Sequence, residues 1–308
     1  MSTLRIAVGP ELPEFGSWNW IGGHMLSSLP DEFSVDAFSP GQLPERADVV
    51  VFLKFLPPVD VLTELSRRSR IVFMPVDIYG SCRDIELQRK LLGCIDLVIS
   101  HSHRQLRYFA GICRAEYLHH PLRYTSSDVK SPDPDGPVVW VGKSCNVQPV
   151  VDWVTDRELD RELHVLTDEP DVVRKSFRNK GNVQVRLWSE ESHIASLDNC
   201  AAAVDIKADD FRARHKPPAK CVDFLAAGIP VITNKGSSTD LFMRSAGLQP
   251  LYTHDWCERL TPQYTATIAA GSSLLREQCS SEAVAKHLGI LLHSLTSVPD
   301  ANAVSRDA

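Results

Sequence analysis

The chain alternates short apolar runs with longer stretches of helical periodicity, and this alternation occurs twice. Some of the runs, such as Val49–Leu53 and Ile71–Met74, are apolar at every position. Strands that are apolar on both faces suit a parallel sheet that helices cover on both sides. Repeated strand–helix units therefore predict an α/β protein with parallel, doubly wound sheets.

Two sets of strands are predicted, one on each side of a polar segment. The first set is Leu4–Val8, Phe33–Phe38, Asp48–Leu53, Arg70–Pro75, Ile95–Ser100 and Ala115–His119. The second set is Val138–Val141, Leu163–Thr167, Val183–Leu187, Ala202–Ile206, Ile229–Thr233 and Leu248–Tyr252. Two long helices, Asp255–Leu275 and Ser281–Leu295, are predicted to follow them.

The polar segment between the two sets is rich in proline, which is typical of a linker. We predict an N-terminal Rossmann-like domain over 1–123, a linker over 124–136, a C-terminal Rossmann-like domain over 137–295 and a frayed tail over 296–308. The final helix can pack back on the N-terminal domain. Each sheet opens a crevice at the carboxyl ends of its strands, and the two crevices are expected to face each other across a cleft.

The overall charge excludes some classes of partner. The 308 residues carry a net charge of -6, whereas nucleic-acid binding needs a surplus of Lys and Arg, so no nucleic-acid partner is expected. No run of about 20 apolar residues could span a membrane. A basic stretch at Arg104, Arg107, Arg114 and Arg123 leaves peripheral membrane contact open beside a plain solvated surface. The first strand begins without a signal-peptide pattern, so a cytoplasmic protein is expected.

The most informative segment runs from His215 to Asn234 and contains a predicted helix. Pro218 fits the helix start, and Gly228 fits its carboxyl cap. The amino end of this helix therefore lies in a loop at the crevice of the second sheet, beside Lys216 and Lys220. A helix amino end with lysines favours a diphosphate, and Asp223 can accept hydrogen bonds from ribose hydroxyls.

This segment resembles the donor-site signature of the GT-B glycosyltransferases, in particular the retaining, family 4-like group of nucleotide-sugar transferases. The signature of that group ends in Glu-Ala-x-Ala-x-Gly-x-Pro-Val-Ile, and its glutamate falls on Asp223. A subset of the group has Pro-x-Lys ahead of it, as in Pro218-Ala219-Lys220. The earlier glutamate of the group falls on His215, which is a departure from the pattern.

Two further stretches resemble the same group. Its first strand after the linker ends in Val-Gly-Arg, which is similar to Val141-Gly-Lys143 here, while the lysine expected next falls on Gln148. The Gly-Gly loop after its first N-terminal strand is similar to Gly22-Gly23, which His24 follows. A histidine that often precedes an aspartate after the fourth strand is replaced by Val76, ahead of Asp77.

The resemblance implies a glycosyltransferase for carbohydrate biosynthesis, with the donor in the C-terminal domain and the acceptor in the N-terminal domain. Asp223 would hold the ribose, and the base would stack on Leu187 or Trp188. The groups expected at the diphosphate and donor sugar are Lys143, His215, Lys216, Pro218, Lys220 and the amides from Ala219 onward. Gly22 and Gly23 would face the sugar, and the catalytic candidates are His24, Asp77 and Lys143.

The resemblance also leaves alternatives open. It implies no metal ion and no cofactor, with a nucleotide sugar of the UDP or GDP type as donor. A retaining reaction is expected, whereas a basic role for Asp77 would suit inversion. The acceptor can be a sugar, a lipid or a small molecule, and the sequence does not determine the oligomeric state. The alternative function is a nucleotide-sugar-binding protein or an epimerase of the same fold.

Overall fold

The computed structural model describes residues 3–123, 129–157, 159–178 and 180–296. The chain divides into two compact units. The first unit is Met1–Pro121 together with Cys279–Ala308, and the second unit is Leu122–Gln278. Part of the predicted linker (124–128) and the predicted tail after residue 296 lie outside the described residues.

Each unit contains one parallel sheet of six strands. The strands of the first unit are β1 (Leu4–Gly9), β2 (Phe33–Ala37), β3 (Val49–Leu53), β4 (Arg70–Met74), β5 (Leu97–Ser100) and β6 (Ala115–Tyr117). Those of the second unit are β7 (Val138–Val141), β8 (Leu163–Thr167), β9 (Val183–Leu187), β10 (Ala202–Val204), β11 (Val231–Thr233) and β12 (Leu251–Tyr252). All the predicted strands are confirmed, with ends that differ by a few residues.

Both sheets are doubly wound, as the alternation of strands and helices predicts. The strand orders are β2-β1-β3-β4-β5-β6 and β12-β11-β10-β7-β8-β9. Chain order reverses between β1 and β3 in the first sheet and between β7 and β10 in the second. In open α/β sheets the ligand crevice lies at the carboxyl ends of the strands at such a reversal. The topology thus marks one candidate position in each unit.

Helices flank the sheets and connect their strands. In chain order they are α1 (Gly23–Ser28), α2 (Val59–Ser66), α3 (Cys82–Leu87), α4 (Arg89–Leu92), α5 (His103–Leu106), α6 (Gln148–Thr155), α7 (Pro170–Ser176), α8 (Glu190–Asn199), α9 (Phe211–His215), α10 (Ala219–Ala226), α11 (Ser238–Ser245), α12 (Trp256–Arg259), α13 (Pro262–Cys279) and α14 (Ser281–Thr296). A π-helical turn, Trp18–Gly22, precedes α1, and a 3-10 turn, Ser144–Asn146, precedes α6. Among the described helices, none is both long and apolar enough to cross a bilayer.

The core of the first unit includes the last helix. Val51 and Val72 of the sheet are fully buried, and Leu288 and Leu292 of α14 belong to the same apolar cluster. Burial of each such side chain stabilises the folded state by about 1.5–3 kcal/mol, so the apolar side chains of α14 stabilise its packing in this core. The core of the second unit is separate and is built around β7, β8 and β10.

One predicted helix is wrong in its extent. The stretch Asp255–Leu275 forms two helices, α12 and α13, with a break at Leu260 and Thr261. Pro262 begins the second helix, because a proline lacks the N–H that a continuing helix would need, whereas it fits the first turn of a new one.

Candidate functional site

The helix α10 has the start and the end that its sequence predicts. Pro218 is its N-cap residue, and the side chains from Cys221 to Ala226 are buried. Gly228 has a φ of 82°, a conformation that favours glycine. Its amide donates to Leu225, and the next amide donates to Phe224 at 2.9 Å, which closes the helix before β11 begins. The chain thus passes directly from the carboxyl end of α10 into β11.

Lys220, in the first turn of α10, lies at the reversal point of the second sheet. Its Nζ donates to the carbonyl of Val141, the last residue of β7, and lies 5.2 Å from the Trp140 ring centroid. Burial, together with the neighbouring Lys207, lowers the pKa of Lys220 to about 7, although Asp205 opposes the change. A lysine with this pKa is charged or neutral at physiological pH, depending on what binds beside it.

Two charged residues at this point were missed by sequence reasoning. Asp205 and Lys207 follow β10 directly, and the two side chains form an ion pair at 2.6 Å. Thr239 donates to the other oxygen of Asp205 at 2.5 Å. Burial raises the pKa of Asp205, but Lys207 and Lys220 outweigh this and lower it. The position of both residues directly after a predicted strand could have indicated them as site residues. Which strand lies beside β7, however, is decided only by the order of strands in the sheet.

Asp223, the predicted ribose ligand, is bound to Arg123 of the same unit. The Arg123 backbone amide donates to one carboxylate oxygen at 3.0 Å, and its Nε donates to the other at 2.5 Å. The Asp223 side chain is only 1% exposed. Burial raises the pKa of Asp223, and Arg123 opposes that rise. A ribose could reach this carboxylate only if Arg123 moved aside, so the ribose role stays a prediction.

The site has a surplus of positive charge. The cations that lower the pKa of Lys220 are Lys207, Lys216 and Arg123, although Lys207 is itself paired with Asp205 and Arg123 with Asp223. Burial, with smaller effects of Arg123 and Lys220, lowers the pKa of the nearby His193 to about 3. His193 is therefore neutral at physiological pH. An anion beside these partly buried lysines would stabilise their charged forms, and the amino end of α10 adds its own partial positive charge.

Other predicted donor residues lie in several environments. Lys143 follows β7 and is exposed. His215 is buried, with its Nδ1 2.5 Å from the Phe211 carbonyl and its ring stacked on the Phe211 ring. Leu187 and Trp188, at the end of β9, are 63% and 40% exposed. The exposed side chains of Leu187 and Trp188 remain candidates for stacking on the base, whereas His215 contacts Phe211 of its own helix, α9.

The glycine loop of the first unit is packed rather than open. Gly22 is buried in the π-helical turn, where an added Cβ would lie 2.5 Å from the Trp18 ring. Gly23 begins α1. His24 is half-buried, which lowers its pKa, and a hydrogen bond to the backbone of Ser281 opposes this. Close packing thus accounts for Gly22, while the sugar-facing role of this loop stays a prediction.

Asp77, the other catalytic candidate, pairs with a residue that the sequence did not point to. Its Oδ1 lies 3.0 Å from Lys54 Nζ, and the two side chains are 8% and 10% exposed. Lys54 has a φ of 68° and Val76 a φ of 54°. Left-handed backbone at non-glycine residues costs about 1–3 kcal/mol each and is often found at functional sites.

No metal site accompanies these groups in the part of the chain that the structure describes: no three His, Cys, Asp or Glu residues lie where they could share an ion. A cavity of about 560 Å³ lies beside Leu159 and Gly181, which precede β8 and β9. The amino ends of parallel strands are not where this architecture binds ligands, so we place no site there.

Gly142→Ala is expected to disturb the packing around Lys220 and to destabilise the fold. An added Cβ would lie 2.5 Å from the Trp140 ring and 2.9 Å from Lys220 Nζ. Such overpacking typically costs about 1–3 kcal/mol. Urea unfolding of the variant would measure the loss. Gly181→Ala is the control, since nothing lies within 4 Å of its Cβ. Equal stability of the two variants would contradict the packing at Gly142.

The fold and the charged crevice define a class of structure. The protein has the two-domain α/β fold of the GT-B glycosyltransferases, with two parallel six-stranded sheets and flanking helices. No known family profile matches the sequence, and no curated protein matches it. The likeness is therefore one of structure.

Three solved structures illustrate the likeness. AviGT4, a glycosyltransferase involved in avilamycin A biosynthesis, is 12% identical, with 96% of this chain and 99% of AviGT4 covered and a TM-score of 0.61. Anabaena HepE in complex with UDP is 12% identical, with 96% and 100% covered and a TM-score of 0.64. A Listeria monocytogenes protein assigned as a UDP-N-acetylglucosamine 2-epimerase is 10% identical, with 97% and 98% covered and a TM-score of 0.56. At such identities the comparison establishes the fold.

Proposed function

We propose that the protein is a glycosyltransferase that moves a sugar from a nucleoside-diphosphate sugar to an acceptor. The observation that carries this proposal is the cluster of partly buried lysines, Lys207, Lys216 and Lys220, at the amino end of α10 and at the reversal point of the second sheet. Helix amino ends with nearby cations bind phosphate groups. HepE, whose fold this chain shares, has been solved with UDP and with UDP-glucose, which supports a UDP-type donor; a GDP-type donor is the other candidate.

The chemistry follows from where charge develops. As the bond between the sugar and the diphosphate breaks, negative charge grows on the leaving diphosphate. Lys220, Lys216 and Lys143, with the amides from Ala219 onward, would stabilise that charge, so the reaction would need no metal ion or cofactor. The exposed side chains of Leu187 and Trp188 would stack on the base of the nucleotide. A retaining outcome is proposed from the family resemblance alone.

The test is a thermal-shift panel with UDP, GDP, ADP, dTDP and CMP. A ligand that binds only the folded state adds about 2.7 kcal/mol of stability at 100 times its Kd, so a clear rise in Tm is expected for one diphosphate. Uridine and UMP are the controls, because they lack the diphosphate. No shift with any diphosphate would contradict the donor site, and an equal shift with uridine would contradict the role of the cations.

The second candidate is a nucleotide-sugar-binding protein or an epimerase. The observations that favour it are His215 in place of a glutamate, Gln148 in place of a lysine, and the fold shared with the Listeria protein. Incubation with the donor selected by the panel separates the two functions. Sugar transferred to an acceptor supports the transferase, whereas an inverted ring carbon on an intact nucleotide sugar supports the epimerase.

A further inference from the structure

The first unit contains a cluster of histidines drawn from two strand ends and three helices. The histidine cluster consists of His24 on α1, His101 after β5, His103 on α5, His119 and His120 after β6, and His287 on α14. Because β5 and β6 are neighbouring parallel strands, the residues that follow them lie at the same edge of the sheet. The strand order thus brings together histidines that are distant in the sequence.

Ring contacts join the histidines at the two strand ends. The centroids of the His101 and His120 rings are 5.6 Å apart. The His103 ring stacks on that of Tyr117, with centroids 3.6 Å apart, and the Tyr117 ring lies 5.0 Å from the His119 ring. The imidazoles at this edge therefore pack against one another and against one phenol ring.

The histidine cluster also interacts with the helices α1 and α14. The His24 ring forms a hydrogen bond to the backbone of Ser281, the first residue of α14. His24 is near enough to His101 for charges on the two rings to repel each other. His119 and His287 of α14 interact in the same way. Charge on the cluster would therefore act on the packing of α1 and α14 in the first unit.

Two ring nitrogens of the cluster are poor places for an added proton. His101 is 2% exposed, and its Nδ1 lies 2.9 Å from the Leu118 carbonyl oxygen. A carbonyl oxygen only accepts, so Nδ1 carries the proton of the neutral ring. A second proton would go to Nε2, which is buried and has no hydrogen-bond partner among the described residues. Nε2 of His24 is buried without a partner in the same part of the chain.

Burial and mutual repulsion favour the neutral form of these rings. Burial, with smaller effects of His119 and His24, lowers the pKa of His101 to about 4, although hydrogen bonds to the backbone oppose the change. Burial also lowers the pKa of His24 and that of His103. For His119, burial lowers the pKa, and His103 and His287 act in the same direction. These rings are thus harder to protonate in the folded unit than in an unfolded chain.

The histidine cluster has no carboxylate that stabilises a protonated ring. Among the described residues, the groups that shift the pKa of His24, His101, His103 and His119 are other histidines and backbone groups. By contrast, His293 of α14 lies 3.4 Å from Glu32, so a proton on that ring gains an ion pair. His293 is therefore a matched comparison on the same helix.

We propose that the histidine cluster is an acid-sensitive switch, in which protonation opens the packing of α1 and α14 on the first sheet. In the open form the histidines titrate normally, so that form holds more protons than the packed form between pH 6.5 and about pH 4. The stabilisation of the packed form is fully present above pH 6.5 and is lost as the pH falls through this window. This inference goes beyond the proposed transferase and does not depend on it.

Hydrogen exchange of the full chain, followed by mass spectrometry at pH 7.5 and pH 5.0, tests the switch. A ring with a pKa of about 4 in the packed form and 6.5 in the open form makes opening about 30-fold more favourable at the lower pH. After correction for intrinsic exchange rates, we expect the opening constants of α1 and α14 to rise by at least this factor. The helix α2, which contains no histidine, is the internal reference and should change by less than about threefold.

His101→Asn and His24→Asn remove rings that titrate in this window. The asparagine amide can donate a hydrogen bond in place of Nδ1, but it gains no proton in mild acid. We expect His101→Asn to reduce the rise at α1 and α14 by about fivefold or more, and His24→Asn, at a half-buried position, by about twofold or more. Each variant is compared with itself at the two pH values, so a general loss of stability does not mimic this result.

His293→Gln is the control on α14 and is expected to keep the full rise, because Glu32 stabilises the protonated ring of His293. The proposal is overturned if the wild-type protein shows no rise, if α2 opens as much as α14, or if His293→Gln removes the rise. It is also overturned if both asparagine variants keep the full rise. A rise at α1 and α14 that both asparagine variants reduce supports the switch.

Discussion

Lys220→Met is expected to weaken UDP binding by about 10- to 100-fold while leaving the unliganded protein equally or more stable. The lysine is partly buried beside other cations, so its charge is costly without an anion, and an apolar side chain of similar length removes that cost. With the diphosphate bound, the same charge donates a hydrogen bond worth about 1.5–3 kcal/mol. Calorimetric titration with UDP and urea unfolding measure the two effects.

The same residue should make UDP binding dependent on pH. Because the pKa of Lys220 in the free protein is about 7, the side chain is mostly neutral at pH 8, and a bound diphosphate would restore its charge. UDP binding at pH 8 should therefore take up about one proton, and affinity should fall by up to about tenfold per pH unit above 7. Titrations in buffers of different ionisation enthalpy measure the uptake.

The pH dependence of folding stability has the opposite sign to the pH dependence of UDP binding. Between pH 7 and the ordinary lysine pKa of 10.5, the unfolded chain holds a proton that the native protein lacks. Stability of the unliganded protein should therefore rise with pH through this window. Lys220→Met should abolish both the proton uptake and this slope. A wild-type protein with no proton uptake at pH 8 would contradict the assignment of Lys220 to the diphosphate.

Asp223→Ala is expected to cost about 3–5 kcal/mol of folding stability. The substitution leaves the Arg123 guanidinium buried without its carboxylate, which is the costly way to break an internal ion pair. The comparison is Arg174→Ala, which breaks the pair with Asp171 in the same unit, but the two side chains are 58% and 88% exposed, so its loss should cost less than about 1 kcal/mol. Urea unfolding of both variants provides the measurement, and a similar small cost for both would contradict the buried pair.

The double variant Arg123→Met/Asp223→Leu separates structure from ligand binding. Replacing both charges with apolar groups should recover most of the stability that Asp223→Ala loses. If this stable variant still binds UDP as the wild type does, Asp223 contributes nothing to the ribose. If binding is lost although stability returns, the pair belongs to the donor site.

Much of this architecture follows from local pattern. The burial of Val49–Leu53 on both faces follows from its unbroken apolar character, and Gly228 ends α10 because glycine tolerates a positive φ. The break before Pro262 follows from the same local rules, although the helical periodicity of the sequence continues across it. Likewise, the position of α10 at a crevice follows from the order of strand, loop and helix.

What the sequence by itself determined is the set of strands, the doubly wound class and the helix whose amino end carries Lys220. Only the tertiary structure decided which charges meet. Arg123 reaches Asp223 across a separation of 100 residues, Lys207 pairs with Asp205 beside Lys220, and Lys54 pairs with Asp77 across neighbouring strands. Strand formation depends on periodicity over a few residues, which a sequence displays directly. The energy of an ion pair depends on distance and burial, and these are set by the order of strands in the sheet.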